Sequence, residues 1–210
     1  MAAQTAVPSV QANGSATLMA KPDQAQLDVG VVTNGTTAQD AAQQNASLSN
    51  TVQAALGKVL GSAGTLQTVS YSVTPRYSAT VNQPSVIVGY TATNTVQVTT
   101  TDLSLIGLLI DSANQAGANS VGGLSFGLQN PEPLVEQALT LATKQAAAHA
   151  AAIAAGLGAK LGAVLSAQEG SSYTPIVVGA ASAAGPVTTP VQTGTVTVYA
   201  TVTIQFGLAQ

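Results

Sequence analysis

The sequence predicts an α+β domain: a largely antiparallel sheet with its helices packed on one face. Three observations carry this reading. Near the C-terminus Val196, Val198, Ala200, Val202, Ile204 and Phe206 alternate without a break with Thr197, Tyr199, Thr201, Thr203 and Gln205. A period of two over that length is a long antiparallel strand with one buried face. Between such alternating stretches lie others with apolar residues three, four and seven apart, the spacing of amphipathic helices. The order that results is ββα, ββα, βα, ββ, and it suggests a loose duplication of ββα units.

The first strand spans Ser9 to Met19, with a bulge or bend expected at Asn13-Gly14. Lys21-Pro22-Asp23 is a turn. Ala25, Leu27, Val29 and Val31 then alternate with polar or small residues, and Asn34-Gly35 ends this second strand. Thr36-Thr37 caps a long helix whose stripe is Ala41, Leu48, Val52, Ala55, Leu56 and Val59, stopped by Gly61 and Gly64. Val69, Tyr71 and Val73 mark a strand that Pro75 should end. A polar excursion to Pro84 and a return strand from Val86 to Thr99 suggest a protruding hairpin arm. Asp102 caps a short helix from Leu103 to Ala116, terminated by Gly117. Ser120 to Leu128 is a strand. Asn130-Pro131 opens a helix that runs to about Ala155, with Glu132 and Glu136 near its positive end. Lys160 to Glu169 is another strand. Residues 170–192, rich in Gly, Ser, Pro and Ala, read as a flexible loop. Residues 1–8 read as a disordered start or the remnant of a signal peptide, and 9–208 as the domain.

Composition narrows the function. Of 210 residues, 5 are Lys or Arg and 8 are Asp or Glu, so 6% are charged and the formal net charge is −3. An ordinary soluble domain carries roughly 25% charge. Five dispersed cations cannot displace the counterions of a nucleic acid, so no nucleic-acid partner is expected. With no Cys and a single His, a Cys/His metal site is excluded. Ala146 to Leu165 is apolar, but it is interrupted by His149 and Lys160 and rich in Ala, so no membrane-spanning segment is expected. No cofactor is expected either. So little charge on a chain of alternating strands leaves long Thr-rich surfaces with few residues to block sheet-to-sheet contact. A soluble chain of this kind is protected by assembly or lies outside the cytoplasm.

Motif by motif, the chemistry is thin. Gly123-Leu124-Ser125-Phe126-Gly127 matches the nucleophile-elbow pattern, and Glu132, Glu136 and His149 follow it. That motif needs a sharp strand-to-helix turn, whereas Ser125 lies inside a strand. His149 stands in an Ala-rich helix with no visible partner and reads as structural. Gly156 to Gly162 is Gly-rich but follows a helix, whereas phosphate loops precede one. No set of acid, base and nucleophile emerges, and the protein is expected not to be an enzyme.

The punctuation nevertheless forms a pattern. It comprises Pro22-Asp23-Gln24-Ala25, Asn45, Pro75-Arg76-Tyr77, Gly89-Tyr90-Thr91-Ala92-Thr93-Asn94, Asp102-Leu103, Ile110-Asp111, Gly117-Ala118-Asn119 and Phe126. Ala138, Ala142, Ala146 and Ala150 follow at intervals of four, and Gly156 to Gly162 leads on to Glu169. In order and spacing, over about residues 9 to 208, this resembles the SIMPL-domain family of bacterial cell-envelope proteins, also described as periplasmic immunogenic proteins. The resemblance implies an α+β fold, export to the periplasm or outer envelope, and no established enzymatic activity. Some relatives are linked to defence against oxidative stress, and some form large hollow homo-oligomers resembling channels. Arg76, Tyr77, Tyr90, Asn119, Phe126 and Tyr199 are the assembly or structural candidates. One departure is clear: between Gln137 and Gly158 the long third helix carries only Lys144 and His149 as basic or titratable residues, so a charged assembly contact of a relative does not transfer. Two functions follow as expectations. The first is an envelope protein that assembles with itself. The alternative is a binding module for a small apolar ligand or a protein partner, with residues 170–192 as its lid.

Overall fold

A computed structural model describes residues 8–78, 84–177 and 191–209. Among these described residues the fold is α+β with antiparallel sheets and three α-helices. Its elements are β1 (Ser9–Ala20), β2 (Gln24–Gly35), α1 (Ala38–Leu60), β3 (Gly64–Tyr77), β4 (Ile87–Thr100), α2 (Ile106–Gln115), β5 (Ser120–Gly127), α3 (Glu132–Gly156), β6 (Lys160–Thr174), β7 (Ile176–Val177) and β8 (Val196–Ala209). The strands form two sheets, β1-β8-β6 and β3-β4-β2-β5-β7. The described residues fall into two compact units that follow this division: those within 1–21, 130–175 and 195–210, and those within 22–129 and 176–194.

In the unit built from 22–129 and 176–194, β2 is central. Ala25, Leu27, Val29 and Val31 are buried beneath Val52, Leu56 and Leu60 of α1 and Ile106, Leu109 and Ala113 of α2. Both helices therefore cover the same face, and Phe126 and Leu124 of β5 complete the core. Thr37 caps α1 by accepting from the Asp40 N–H at 3.1 Å. Hydrogen bonds with the Thr37 and then the Thr36 hydroxyl hold the Asp40 carboxyl below the ordinary aspartate value of 3.8. Asp102 caps a 3₁₀ turn, Leu103–Leu105, that leads into α2. Gly117 follows α2 at φ 103°, a conformation open to glycine, and allows Ala118 to bond back to Ala113.

In the other unit β8 is central, paired along its length with β1 and with β6. Val198, Ala200, Val202, Ile204 and Phe206 face α3, which presents Ala138, Ala142, Ala146 and Ala150. All four alanines are fully buried. Residues four apart share one helix face, so the stripe lays the α3 backbone close to the sheet.

Several expectations change. Asn13-Gly14 makes no bulge, since β1 keeps one register with β8 from Ser9 to Ala20. Gly14 is required for a different reason: a Cβ there would strike the Ala142 carbonyl oxygen and the Ala146 nitrogen of α3. Pro75 does not end β3: it pairs with Tyr90 on the edge strand of the sheet, the position where a strand tolerates proline. The loop expected over 170–192 begins later. Residues 170–174 continue β6 and pair with β8, residues 176–177 form β7, and 178–190 lie outside the described residues. Pro131 precedes the first helical residue of α3. The first ββα group is not a unit in space, because β1 and β2 enter different sheets. The tip of the expected hairpin arm, 79–83, lies outside the described residues, as do 1–7 of the start. Among the described residues no helix is long and apolar enough to cross a membrane.

Candidate functional site

β1 is an edge strand, and an edge exposes unpaired backbone groups. Here two side chains of α3 occupy part of that edge. Gln145 Oε1 accepts from the Ser15 N–H at 2.6 Å, and His149 Nδ1 lies 3.0 Å from the Asn13 carbonyl oxygen. A carbonyl cannot donate, so Nδ1 carries the proton of this bond. Gln145 and His149 are four apart and so lie on one helix face, reached because Gly14 lets α3 come close.

Beside this clasp is a surface depression of about 500 Å³. β1 contributes Asn13, Gly14 and Ser15, α3 contributes Gln145 and His149, and β8 contributes Tyr199, Thr201 and Thr203. The register sets Asn13 opposite Thr203, Ser15 opposite Thr201 and Thr17 opposite Tyr199, so these residues share the sheet face turned away from α3. Thr201 donates to the Gly170 carbonyl of β6 at 3.3 Å. The lining holds no Asp, Glu, Lys or Arg. It is a hydrogen-bonding surface with one aromatic ring. A larger groove, about 730 Å³, lies between α1 and α2 around Lys58, Ser112 and Gln115. Among the described residues no three His, Asp or Glu side chains gather as metal ligands would.

The six residues singled out from the sequence are dispersed. Tyr199 lines the depression and is 44% exposed. Arg76, Tyr77 and Tyr90 lie on the β3–β4 hairpin, with Arg76 opposite Gly89, Tyr77 opposite Ile87 and Tyr90 opposite Pro75. Asn119 extends the sheet beyond β5. Its side-chain oxygen accepts from the Val32 N–H at 2.8 Å and its amide donates to the Val32 carbonyl at 2.7 Å, which prolongs the pairing of β5 with β2 past Gly30. Phe126 is wholly buried in the core, which makes it structural and removes it from any contact surface. Ser125 pairs with Gln26 within β5, so the G-x-S-x-G match has no turn to expose a nucleophile. Gln145, Asn13 and Ser15 were not legible as site residues. The signal that could have found them is a glycine inside a strand in a chain with an Ala-striped helix.

A family model described as SIMPL, protein of unknown function (DUF541), matches residues 10–206. No curated protein matches the chain. Among the described residues, the matched span takes in every α-helix and nearly all of both sheets. The chain belongs to the SIMPL family.

Proposed function

We propose that this protein is a non-enzymatic component of the bacterial cell envelope that assembles with copies of itself into a large homo-oligomer. The observation that carries the reading is β3, a 14-residue strand at the edge of its sheet. Val69, Tyr71 and Tyr77 on it are 48%, 56% and 57% exposed, and Arg76 is its one charged residue. Native edges are usually blunted by charge, bulges or proline. β3 has a register shift between Thr68 and Ser70 and a proline at position 75. Between them residues 70–74, Ser-Tyr-Ser-Val-Thr, carry no charge and no proline, which leaves a short stretch suited to pairing with another chain. Location in the periplasm or outer envelope, and a protective part under oxidative stress, rest on the likeness to envelope proteins of the family.

The test is the native particle size by light scattering or mass photometry. The wild-type chain is expected as one defined oligomer at micromolar concentration. Tyr71→Lys is expected to reduce it to monomer with an unchanged far-UV circular dichroism spectrum. A monomeric wild-type chain at that concentration would end this reading.

A further inference from the structure

We infer that the face of the β1-β8-β6 sheet turned away from α3 is a binding surface for a neutral oligosaccharide, centred on the depression beside His149. Three features of different kinds lead there. The first is charge. Along β8 this face presents Thr197, Tyr199, Thr201, Thr203 and Gln205, and the register brings Asn13 and Ser15 of β1 and Gln168 and Ser172 of β6 beside them. None of these is an Asp, Glu, Lys or Arg, and Lys160 stands on this face only at its far end, opposite Ala209, so the surface around the depression sets no carboxylate, ammonium or guanidinium against a ligand. It does offer hydroxyls and amides that both donate and accept, which is the pairing chemistry of sugar hydroxyls.

The second feature is the ring. Tyr199 is exposed in a chain with only 3% aromatic residues, and its hydroxyl has no partner among the described residues. An aromatic face with a polar tip packs against the C–H face of a pyranose while its hydroxyl bonds to the rim. The third is preorganisation. Gln145 and His149 are fixed by their bonds to Ser15 and Asn13, so both side chains meet a ligand without further ordering. Gly170 has no Cβ where one would press on Thr201 Oγ1, which keeps the floor beside Thr201 low. The volume of about 500 Å³ lies within the span of small-molecule sites, about 300–1,000 Å³.

The experiment titrates chitotetraose and cellotetraose separately into the full-length protein. It follows the backbone amides by NMR and the affinity by calorimetry. Binding of either sugar is expected, with the largest shifts at residues 13–15, 145–149 and 199–203. Tyr199→Ala is expected to weaken it about tenfold or more, and His149→Ala to weaken it less. Tyr77→Ala, on the other sheet, is expected to leave it unchanged. Tetragalacturonic acid, a charged saccharide, is expected to bind more weakly than the neutral sugar. The inference is overturned if neither neutral sugar binds at about 10 mM. It is equally overturned if the shifts centre elsewhere, if a correctly folded Tyr199→Ala binds as wild type does, or if the charged saccharide binds more tightly. Particle size is measured in the same samples, so a failure here leaves the self-assembly reading standing or falling on its own result.

Discussion

Asn45 is fully buried on α1, and its side-chain amide donates to two carbonyls, Val31 of β2 at 2.8 Å and Ala92 of β4 at 3.1 Å. Its oxygen accepts from Ser49 at 3.2 Å, one helical turn on. One side chain thus spends both donors on two neighbouring strands and fixes the rotation of α1 above them. Ser49 is buried for the same reason: it supplies the acceptor's partner. A polar group is tolerated in a core when every bond is made, and losing a partner there costs about 1–3 kcal/mol. Asn45→Ala is therefore expected to lower stability by about 1–3 kcal/mol. Asn45→Asp is expected to cost more, because it removes both donors and sets a carboxylate beside two carbonyl oxygens. Chemical denaturation of the three proteins under one condition checks the order. An Asp variant as stable as wild type would show that the amide donors contribute nothing.

The element that most depends on its side-chain size is α3. Ala138, Ala142, Ala146, Ala150 and Ala154 are all buried, and the helix backbone meets β1 at Gly14. A sheet packs this closely against a helix only when both surfaces are small, so the alanines and the glycine act as a pair of matched faces. Ala146→Leu has no room to expand toward the sheet and is expected to destabilise by about 1–3 kcal/mol, at constant m-value in a urea titration. The same change at Ala148, which is exposed, is expected to be nearly silent. Equal effects at the two positions would contradict the close-packed face. The edge clasp depends on the same approach, since Gln145 and His149 reach Ser15 and Asn13 from the turns that flank Ala146. A helix pushed outward at Ala146 is thus expected also to release the His149 bond, seen as a change in its ring resonances.

At the scale of the whole molecule, what the sequence discloses depends on how far apart the partners lie. β2 and β8 are legible because each has one clean buried face, as in Ala25, Leu27, Val29 and Val31. β6 is obscured: its register slips twice between Leu161 and Ser166, and Val164 and Leu165 are left exposed, so its period of two is broken. The partition of strands is hidden altogether. Lys21-Pro22-Asp23 has the residues of a hairpin turn, yet β1 pairs with β8 at the far end of the chain, and no local pattern encodes a contact of that span. The depression is hidden for the same reason, because Ser15, His149 and Thr201 meet only once that long-range pairing is made. Scarcity of charge, by contrast, is a property of the whole chain and survives folding intact: 13 ionisable acidic or basic side chains, Lys, Arg, Asp and Glu, in 210 residues. It also sets how the proposed assembly responds to salt. Contacts between charged surfaces weaken as the Debye length falls to about 3 Å at 1 M salt. Contacts through backbone pairing and apolar side chains do not, and excluded salts such as sulfate strengthen them. The oligomer is therefore expected to keep its size from low salt to about 1 M sodium chloride and to tighten in ammonium sulfate. Light scattering across that series decides the matter. Dissociation in sodium chloride would mean that the few charges hold the assembly together, and the uncharged stretch of β3 would no longer account for it.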